Sequence, residues 1–212
     1  MASGPLFCSA AAPASSTLHG NAPDQNPLAL ILVDVINAMD FPQGAALLKH
    51  ALPKARRIAR LAQRAREEGV PVVYANDNFG RWRSDFREVV AHASREESRG
   101  RPVAELLTPK PGDYFVLKPK HSAFHETTFA VLLTHLGARR LIITGFAGDV
   151  CVLFTAHDAY MRDYALSVPS DCVASNSVQE NRRVLAYMRR VLDADTTPST
   201  RLDLRELRKS AG

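Results

Sequence analysis

Cys151 is a residue that could act as a nucleophile. An apolar run ends at Gly145, a turn of small residues follows, and Cys151 then falls in the first turn of a predicted helix. The dipole at the start of that helix and a nearby ammonium, from Lys118, favour a thiolate, so we expect its pKa below the ~8.5 of a free cysteine. The alternative is that Cys151 is a small buried hydrophobic side chain, as is also predicted for Cys172.

Two side chains of opposite charge end other predicted strands. The apolar run 28–33 leads to Asp34, and the predicted strand 113–118 ends on Lys118. Because the carboxyl ends of parallel strands meet at one edge of an open α/β sheet, both can converge with Cys151. There a thiolate would attack a carbonyl, the ammonium would stabilise the thiolate, and the carboxylate would take and return protons. Asp34 could instead only cap the turn after its strand.

The elements that must position these residues alternate along the chain. Apolar β-rich runs predict strands over 28–35, 70–75, 113–118, 141–145 and 165–168, and a short sixth near 194–196. Helical spacing of apolar residues predicts helices over 45–68 (kinked or broken at Pro53), 84–93, 103–107, 127–136, 149–163 and 178–192. Strands followed by helices predict an α/β fold with three layers, α/β/α, around a central, mostly parallel six-stranded sheet.

Length and composition bound the class of protein. The 212 residues favour one folded domain over 27–200, between a disordered Ala/Ser/Pro-rich tail over 1–26 and a polar tail over 201–212. The net charge of +5 comes from arginines spread over predicted helices, which favours solvated helix faces and no nucleic-acid partner. No apolar run is long enough for a membrane span. Three cysteines without metal-finger spacing indicate a reduced, cytoplasmic protein.

Short motifs accompany the three candidate residues between residue 28 and about residue 197. They are Val33-Asp34, Lys118, Ser122-Ala123-Phe124, Thr144-Gly145, Asp149 and Cys151-Val152. This order resembles the isochorismatase-like cysteine hydrolases, a superfamily that includes nicotinamidase, N-carbamoylsarcosine amidase and the ureidoacrylate and biuret hydrolases. The resemblance implies a Rossmann-like strand order, a homodimer or homotetramer, and a catalytic triad of Asp34, Lys118 and Cys151. It also implies a cis peptide bond between Phe146 and Ala147, and an oxyanion hole formed by the backbone N–H groups of Ala147 and Cys151.

Two departures from the known members of that superfamily narrow the expected chemistry. Where nicotinamidases place Asp-x-His as metal ligands, this sequence has Asp77-Asn78-Phe79, and phenylalanine cannot bind a metal. We therefore expect no metal and no other cofactor, and nicotinamide is a poor candidate substrate. Isochorismatases that cleave a vinyl ether lack the cysteine, so Cys151 favours hydrolysis of a small amide or ureide through a thioester. A metal-assisted nicotinamidase-like amidase and a catalytically silent α/β binding protein stay open as alternatives.

Side chains near the predicted strand ends give the candidate substrate pocket. They are Asn37, Phe41, Asn78, Trp82 and Phe124. Trp82 could equally pack against the helix that follows it. Arg81 and Arg83 flank it and could hold a substrate carboxylate or be exposed to solvent. His121 and His125 are four residues apart and could share a face, although exposed or helix-capping histidines are more common than ligands.

Overall fold

The structure, a computed structural model, describes residues 25–80 and 82–211, so most of the predicted N-terminal tail lies outside the described residues. The strands are β1 (Leu28–Val33), β2 (Val72–Asp77), β3 (Tyr114–Lys118), β4 (Arg140–Phe146), β5 (Ala165–Ser167) and β6 (Val173–Ala174). The α-helices are α1 (Gly44–Glu67), α2 (Phe86–Ala93), α3 (Arg101–Leu106), α4 (Phe129–Leu136), α5 (Leu153–Tyr160), α6 (Val178–Val191) and α7 (Leu204–Lys209). A π-helical turn over Gly148–Val152 precedes α5.

The strands form one parallel sheet in the order β3-β2-β1-β4-β5, and helices cover both faces. The predicted three-layer α/β/α fold with a six-stranded sheet is therefore confirmed. The sixth strand is β6, which pairs with the end of β4 at Gly145 and Phe146. The strand predicted near 194–196 is wrong. Asp195 makes a single bridge to Ser167, and its carboxylate then accepts the N–H of Thr197, a turn that ends the extended segment.

The central strand β1 explains why its sequence is continuously apolar. Its six side chains are fully buried, and they alternate between two cores. Leu28, Leu30 and Leu32 pack with α1, α2 and α3 on one face, and the intervening residues pack with α4, α5 and α6 on the other. A strand buried on both faces needs apolar residues at every position. At its end the first charged residue, Asp34, is brought to the carboxyl edge of the sheet.

Helix α1 is continuous through Pro53, which lies on its exposed face. The break predicted there is absent, because the carbonyl that loses its amide partner on that face can bind water. Residues 201–212, predicted as a polar tail, include α7, and Leu202 and Leu204 are buried in the core beside α1. Arg64 of α1 donates hydrogen bonds to the carbonyls of Ser199 and Leu202 and so holds this segment. Within the described ranges, none of the helices is both long and apolar enough to cross a bilayer.

Candidate active site

Three adjacent strands bring Asp34, Asp77 and Lys118 to one edge of the sheet. Asp34 follows β1, and its backbone N–H donates to the carbonyl of Ala75 in β2 at 3.0 Å. Asp77 ends β2 directly beside Lys118, which ends β3. Asp34 has a positive φ of 51°, so the chain turns at this residue. The structure thus brings together two of the three residues that the sequence predicts, and adds Asp77 to them.

The Lys118 side chain is fully buried and meets three acceptors. Its Nζ lies 2.8 Å from Oδ2 of Asp34, 3.6 Å from Oδ2 of Asp77 and 3.2 Å from the carbonyl of Lys120. An ammonium has three N–H donors, so this set can satisfy it. Burial disfavours the charged form, but the attraction of Asp34, with smaller effects from Cys151 and Asp77, outweighs burial, and the pKa of Lys118 lies above its ordinary value.

The carboxylate of Asp34 connects the lysine to the thiol. Oδ2 pairs with Lys118 at 2.8 Å, Oδ1 accepts the N–H of Asp77 at 2.6 Å, and the Cys151 thiol and this carboxylate influence each other's pKa. Burial raises the pKa of Asp34 above its ordinary value, although Lys118 and the thiol both act to lower it. A buried carboxylate with a raised pKa that interacts with a thiol is suited to accept a proton from it.

The pKa of the Cys151 thiol is raised, not lowered as expected from the sequence. Burial is the main cause, and the negative charge of Asp34 adds to it, while Lys118 acts in the opposite direction. The sequence reasoning considered only the helix N-terminus and the lysine. A raised pKa favours the neutral thiol over the thiolate. Cys172 is also buried, as expected, and burial raises its pKa to about 12.

Gly145 allows the chain to turn from the end of β4 toward Cys151. It adopts a φ of +128°, and a Cβ there would lie 2.0 Å from the carbonyl oxygen of Val33, so only glycine fits. Its N–H donates to the carbonyl of Cys172 at 3.0 Å, which ties the end of β4 to the segment before β6. The turn then closes with hydrogen bonds from Val150 and Val152 to the carbonyl of Ala147, both at 3.2 Å. Cys151 lies within this π-helical turn.

The peptide bond between Phe146 and Ala147 is trans, so the expectation of a cis peptide bond there is wrong. No cis peptide is present in residues 25–80 and 82–211. The trans form of a non-proline bond is favoured by about 3 kcal/mol, and the sharp change of direction is made by Gly145 one residue earlier. Ala147 itself is extended, with φ −69° and ψ 130°, and leads directly into the π-helical turn.

The five predicted pocket residues do not form one cluster. The side-chain oxygens of Asn37 and Asn78 accept N–H groups two residues ahead, from Met39 at 2.8 Å and Gly80 at 2.9 Å, so both side chains shape their own turns. Trp82 is 78 % exposed. Phe41 is partly buried against the core around α1. Phe124 is buried, edge-on to Phe129, in the core around α4. Arg83 is exposed, and Arg81 lies outside the described residues.

A cavity of about 230 Å³ lies beside the ends of β1 and β2. Of the predicted pocket residues, Asn37 lines it; the others are Ile36, Ala38, Asp40, Phe79, Val89, His92 and Ala93. Phe79 lies two residues beyond Asp77, whose carboxylate accepts its N–H at 2.6 Å, although the lining of the cavity includes none of Asp34, Lys118 and Cys151. The sequence reasoning considered Phe79 only as a residue that cannot bind metal. An aromatic side chain two residues beyond a strand end was the available signal for a pocket wall.

His121 is the polar side chain that sequence reasoning left without a role. Its Nδ1 lies 3.8 Å from Sγ of Cys151, and its ring is tilted against Phe154 with 5.6 Å between the ring centroids. His125 is exposed on the same loop. Across the part of the chain that the structure describes, no group of three or more His, Cys, Asp or Glu side chains is placed to hold a metal ion.

Comparisons with known proteins agree with this architecture. The family model described as "Isochorismatase domain" matches residues 28–198. The uncharacterized isochorismatase family protein YaaI of Bacillus subtilis is 43 % identical over 169 residues, which cover 80 % of this chain and 92 % of YaaI. The ureidoacrylate amidohydrolase RutB of Methylorubrum extorquens is 31 % identical over 169 residues, 66 % of this chain and 67 % of RutB.

Solved structures show the same fold. N-carbamoylsarcosine amidase from Thermoplasma acidophilum superimposes with a TM-score of 0.65 and 27 % identity, covering 83 % of this chain and 98 % of the amidase. The nicotinamidase SaPncA from Staphylococcus aureus gives a TM-score of 0.61 at 20 % identity, covering 81 % of this chain and 98 % of SaPncA. At that identity the second comparison concerns the fold alone.

Proposed function

Because the chain belongs to the isochorismatase family, and because its buried Asp–Lys pair adjoins a thiol, we propose that it is an amidohydrolase. It hydrolyses the C–N bond of a small amide or ureide through a thioester on Cys151, with Asp34 and Lys118 as the other catalytic residues. The observation that carries the proposal is the buried ion pair of Lys118 with Asp34 at 2.8 Å, whose two charges both act on the pKa of the Cys151 thiol.

The first step forms the bond between sulfur and the substrate carbonyl carbon. Because the resting thiol is neutral, its proton passes to the Asp34 carboxylate as Sγ attacks. Negative charge then develops on the carbonyl oxygen. The backbone N–H groups of Ala147 and Cys151 donate hydrogen bonds to that oxygen. Lys118 stays charged throughout and offsets the negative charge of whichever group, thiolate or carboxylate, lacks the proton. No metal is needed to polarise the carbonyl in this mechanism.

The second step breaks the C–N bond. The departing nitrogen takes a proton from a second acid beside Sγ and leaves, and the acyl group remains on sulfur as a thioester. Water then attacks the thioester carbon and gives a proton back to that acid, the acid product leaves, and Sγ takes back the proton that Asp34 holds. The thiol and the carboxylate return to their starting forms, so Asp34 acts first as a base and then as an acid.

The class of substrate follows from the cavity and the relatives. A cavity of about 230 Å³ fits a small molecule, and Phe79 and Val89 give it an apolar wall. RutB is named for ureidoacrylate and the Thermoplasma amidase for N-carbamoylsarcosine, and both names describe ureides. A small ureide is therefore the first candidate here. Of the five residues expected around the substrate because they lie near strand ends, Asn37 lines this cavity. We expect a cytoplasmic homodimer or homotetramer.

The test is a screen of small amides and ureides for release of ammonia. The panel includes ureidoacrylate, N-carbamoylsarcosine and nicotinamide, and each reaction is also quenched in acid for intact-mass measurement. We expect turnover of at least one member and an acyl adduct on the peptide that contains Cys151. Cys172→Ala is the matched control, because it removes the second described thiol and leaves the site in place. A protein that releases no ammonia and forms no adduct across the panel would disprove the proposal and favour a silent binding protein.

The raised pKa of Asp34 sets the acid limit of this activity. Asp34 can accept the thiol proton only as a carboxylate, so kcat/KM falls as the pH falls through its pKa. Because burial raises that pKa above 3.8, the value for an exposed aspartate, activity is lost at a higher pH than an exposed base would give. The measurement is kcat/KM from about pH 3 to about pH 9, with activity recovered at neutral pH to confirm that the fold survived. An acid limb centred at or below 3.8 would contradict the assignment of Asp34 as the base.

A further inference from the structure

Two hydrogen bonds fix the loop that carries His121. The Lys118 ammonium donates to the carbonyl of Lys120 at 3.2 Å, immediately before the histidine. Two residues after it, the N–H of Ala123 donates to the hydroxyl of Thr155 in α5 at 3.1 Å. The loop is therefore held at one side by the buried lysine of the site and at the other by the helix that follows the nucleophile. Lys118 and Thr155 thus hold the loop in the position that places His121 beside Sγ of Cys151.

The imidazole lies against the nucleophile on its exposed side. Its Nδ1 is 3.8 Å from Sγ of Cys151, and its ring packs against Phe154. Phe154 is three residues after Cys151, and residues three apart on a helical segment share a face, so the ring that packs against His121 lies on the same side of the segment as the thiol. His121 is exposed, so it can exchange protons with solvent. Asp34, on the other hand, is only 3 % exposed.

The oxygens of Asp34 are already occupied. Oδ2 faces Lys118 at 2.8 Å, and Oδ1 accepts the N–H of Asp77 at 2.6 Å. An amide nitrogen cannot leave as an anion, so it needs a proton when the C–N bond breaks. The donor must reach the substrate beside Sγ. An exposed imidazole in contact with the sulfur meets this need better than a buried carboxylate that is held by two other donors.

We propose that His121 is a further catalytic residue, the acid that protonates the departing nitrogen; this inference rests on the proposed function. As the C–N bond breaks, the imidazolium of His121 gives its proton to the nitrogen, and Asp34 keeps the proton that it took from the thiol. When water attacks the thioester, neutral His121 takes a proton from the water, and Sγ takes its proton back from Asp34. All groups return to their starting forms, and the net reaction is hydrolysis of one C–N bond.

The experiment compares two leaving groups with one acyl group. One substrate is the amide or ureide from the ammonia screen that is turned over fastest, and the other is the p-nitrophenyl ester of the same acyl group. A p-nitrophenolate leaves without a proton, so only the first substrate needs the acid. His121→Asn keeps an N–H donor near the position of Nδ1 but cannot transfer a proton, and His121→Gln is a second variant. In both we expect kcat/KM on the amide to fall by roughly 10²-fold or more, and kcat/KM on the ester to stay within about threefold.

The control is His125→Asn, an equivalent change on the same loop at a histidine that is exposed to solvent. It should leave both substrates unaffected. Equal losses on amide and ester in the His121 variants would indicate a merely structural role, and unchanged amide turnover would leave Asp34 as the acid; either result overturns the inference. Failure of the proposed function is recognised separately, because the wild-type protein would then release no ammonia and form no adduct on Cys151.

Discussion

We expect replacement of Cys151 by alanine to reduce kcat/KM for the amide substrate by at least about 10³-fold, because the proposed mechanism loses the group that forms the thioester. Residual turnover would come only from binding and from the N–H groups that face the carbonyl oxygen. The thiol is partly buried and a methyl group fits its place, so the fold is retained. The measurement is the rate of ammonia release together with intact mass, in which the acyl adduct disappears.

The matched comparison for this prediction is Cys172→Ala. That thiol is fully buried in the core around α1. Its hydrogen-bond partner is the Asp171 carboxylate at 3.6 Å, and not Asp34 or Lys118. Its removal costs stability but leaves the nucleophile in place, so turnover per folded molecule stays near that of the wild type. If Cys151→Ala hydrolyses the amide at a near-normal rate, the thioester mechanism is wrong.

Replacing Lys118 by methionine affects both stability and activity. The substitution leaves the Asp34 carboxylate buried without its cation, a change that costs about 3–5 kcal/mol in other buried pairs. Without the ammonium the pKa of Asp34 rises further, so at neutral pH the carboxylate is either protonated, and useless as a base, or ionised at high cost. We expect kcat/KM to fall by several orders of magnitude, about 10³-fold or more. Chemical denaturation measures the loss of stability.

The pH dependence separates this cause from a simple packing defect. Below the pKa that Asp34 has in the variant, the carboxyl group is neutral and needs no cation, so the stability deficit shrinks as the pH falls and grows as it rises. The double variant Asp34→Asn with Lys118→Met removes both charges and should recover much of the lost stability, though no activity. A deficit that is the same at all pH values would show that the lost packing of the lysine stem, not the unpaired carboxylate, is responsible.

Much of the fold could be predicted from local patterns. The fully apolar run of β1 indicated a strand covered on both faces, and the alternation of strands and helices indicated the parallel sheet. From there, Asp34 and Lys118 could be assigned to one edge because sheet geometry aligns the ends of parallel strands. Short elements were harder to predict from the sequence. Two-residue β6 and six-residue α7 carry too few residues for a periodic pattern, and their positions depend on contacts with β4 and α1.

The details of the site could not be predicted, because they depend on which side chains become buried and on which side chains the fold brings into contact. The pKa of the Cys151 thiol is raised by its surroundings, which the sequence does not display. The same applies to Phe124, whose aromatic ring was assigned to the pocket but packs in the core. His121 was passed over because an exposed histidine has no distinctive spacing, and only the folded loop reveals its distance from the sulfur.

The sheet order also has a consequence for how the protein is made. The central strand β1 emerges first from the ribosome, but its partner on one side, β4, is synthesised much later, since Leu28 pairs with Arg140. Until then β1 has a bare apolar edge, the kind of surface that promotes aggregation. Pairing of β1 with β4 closes that edge and brings Cys151 to Asp34 in the same event. A nascent or truncated chain that ends before β4 therefore lacks Cys151 and leaves this edge of β1 unpaired.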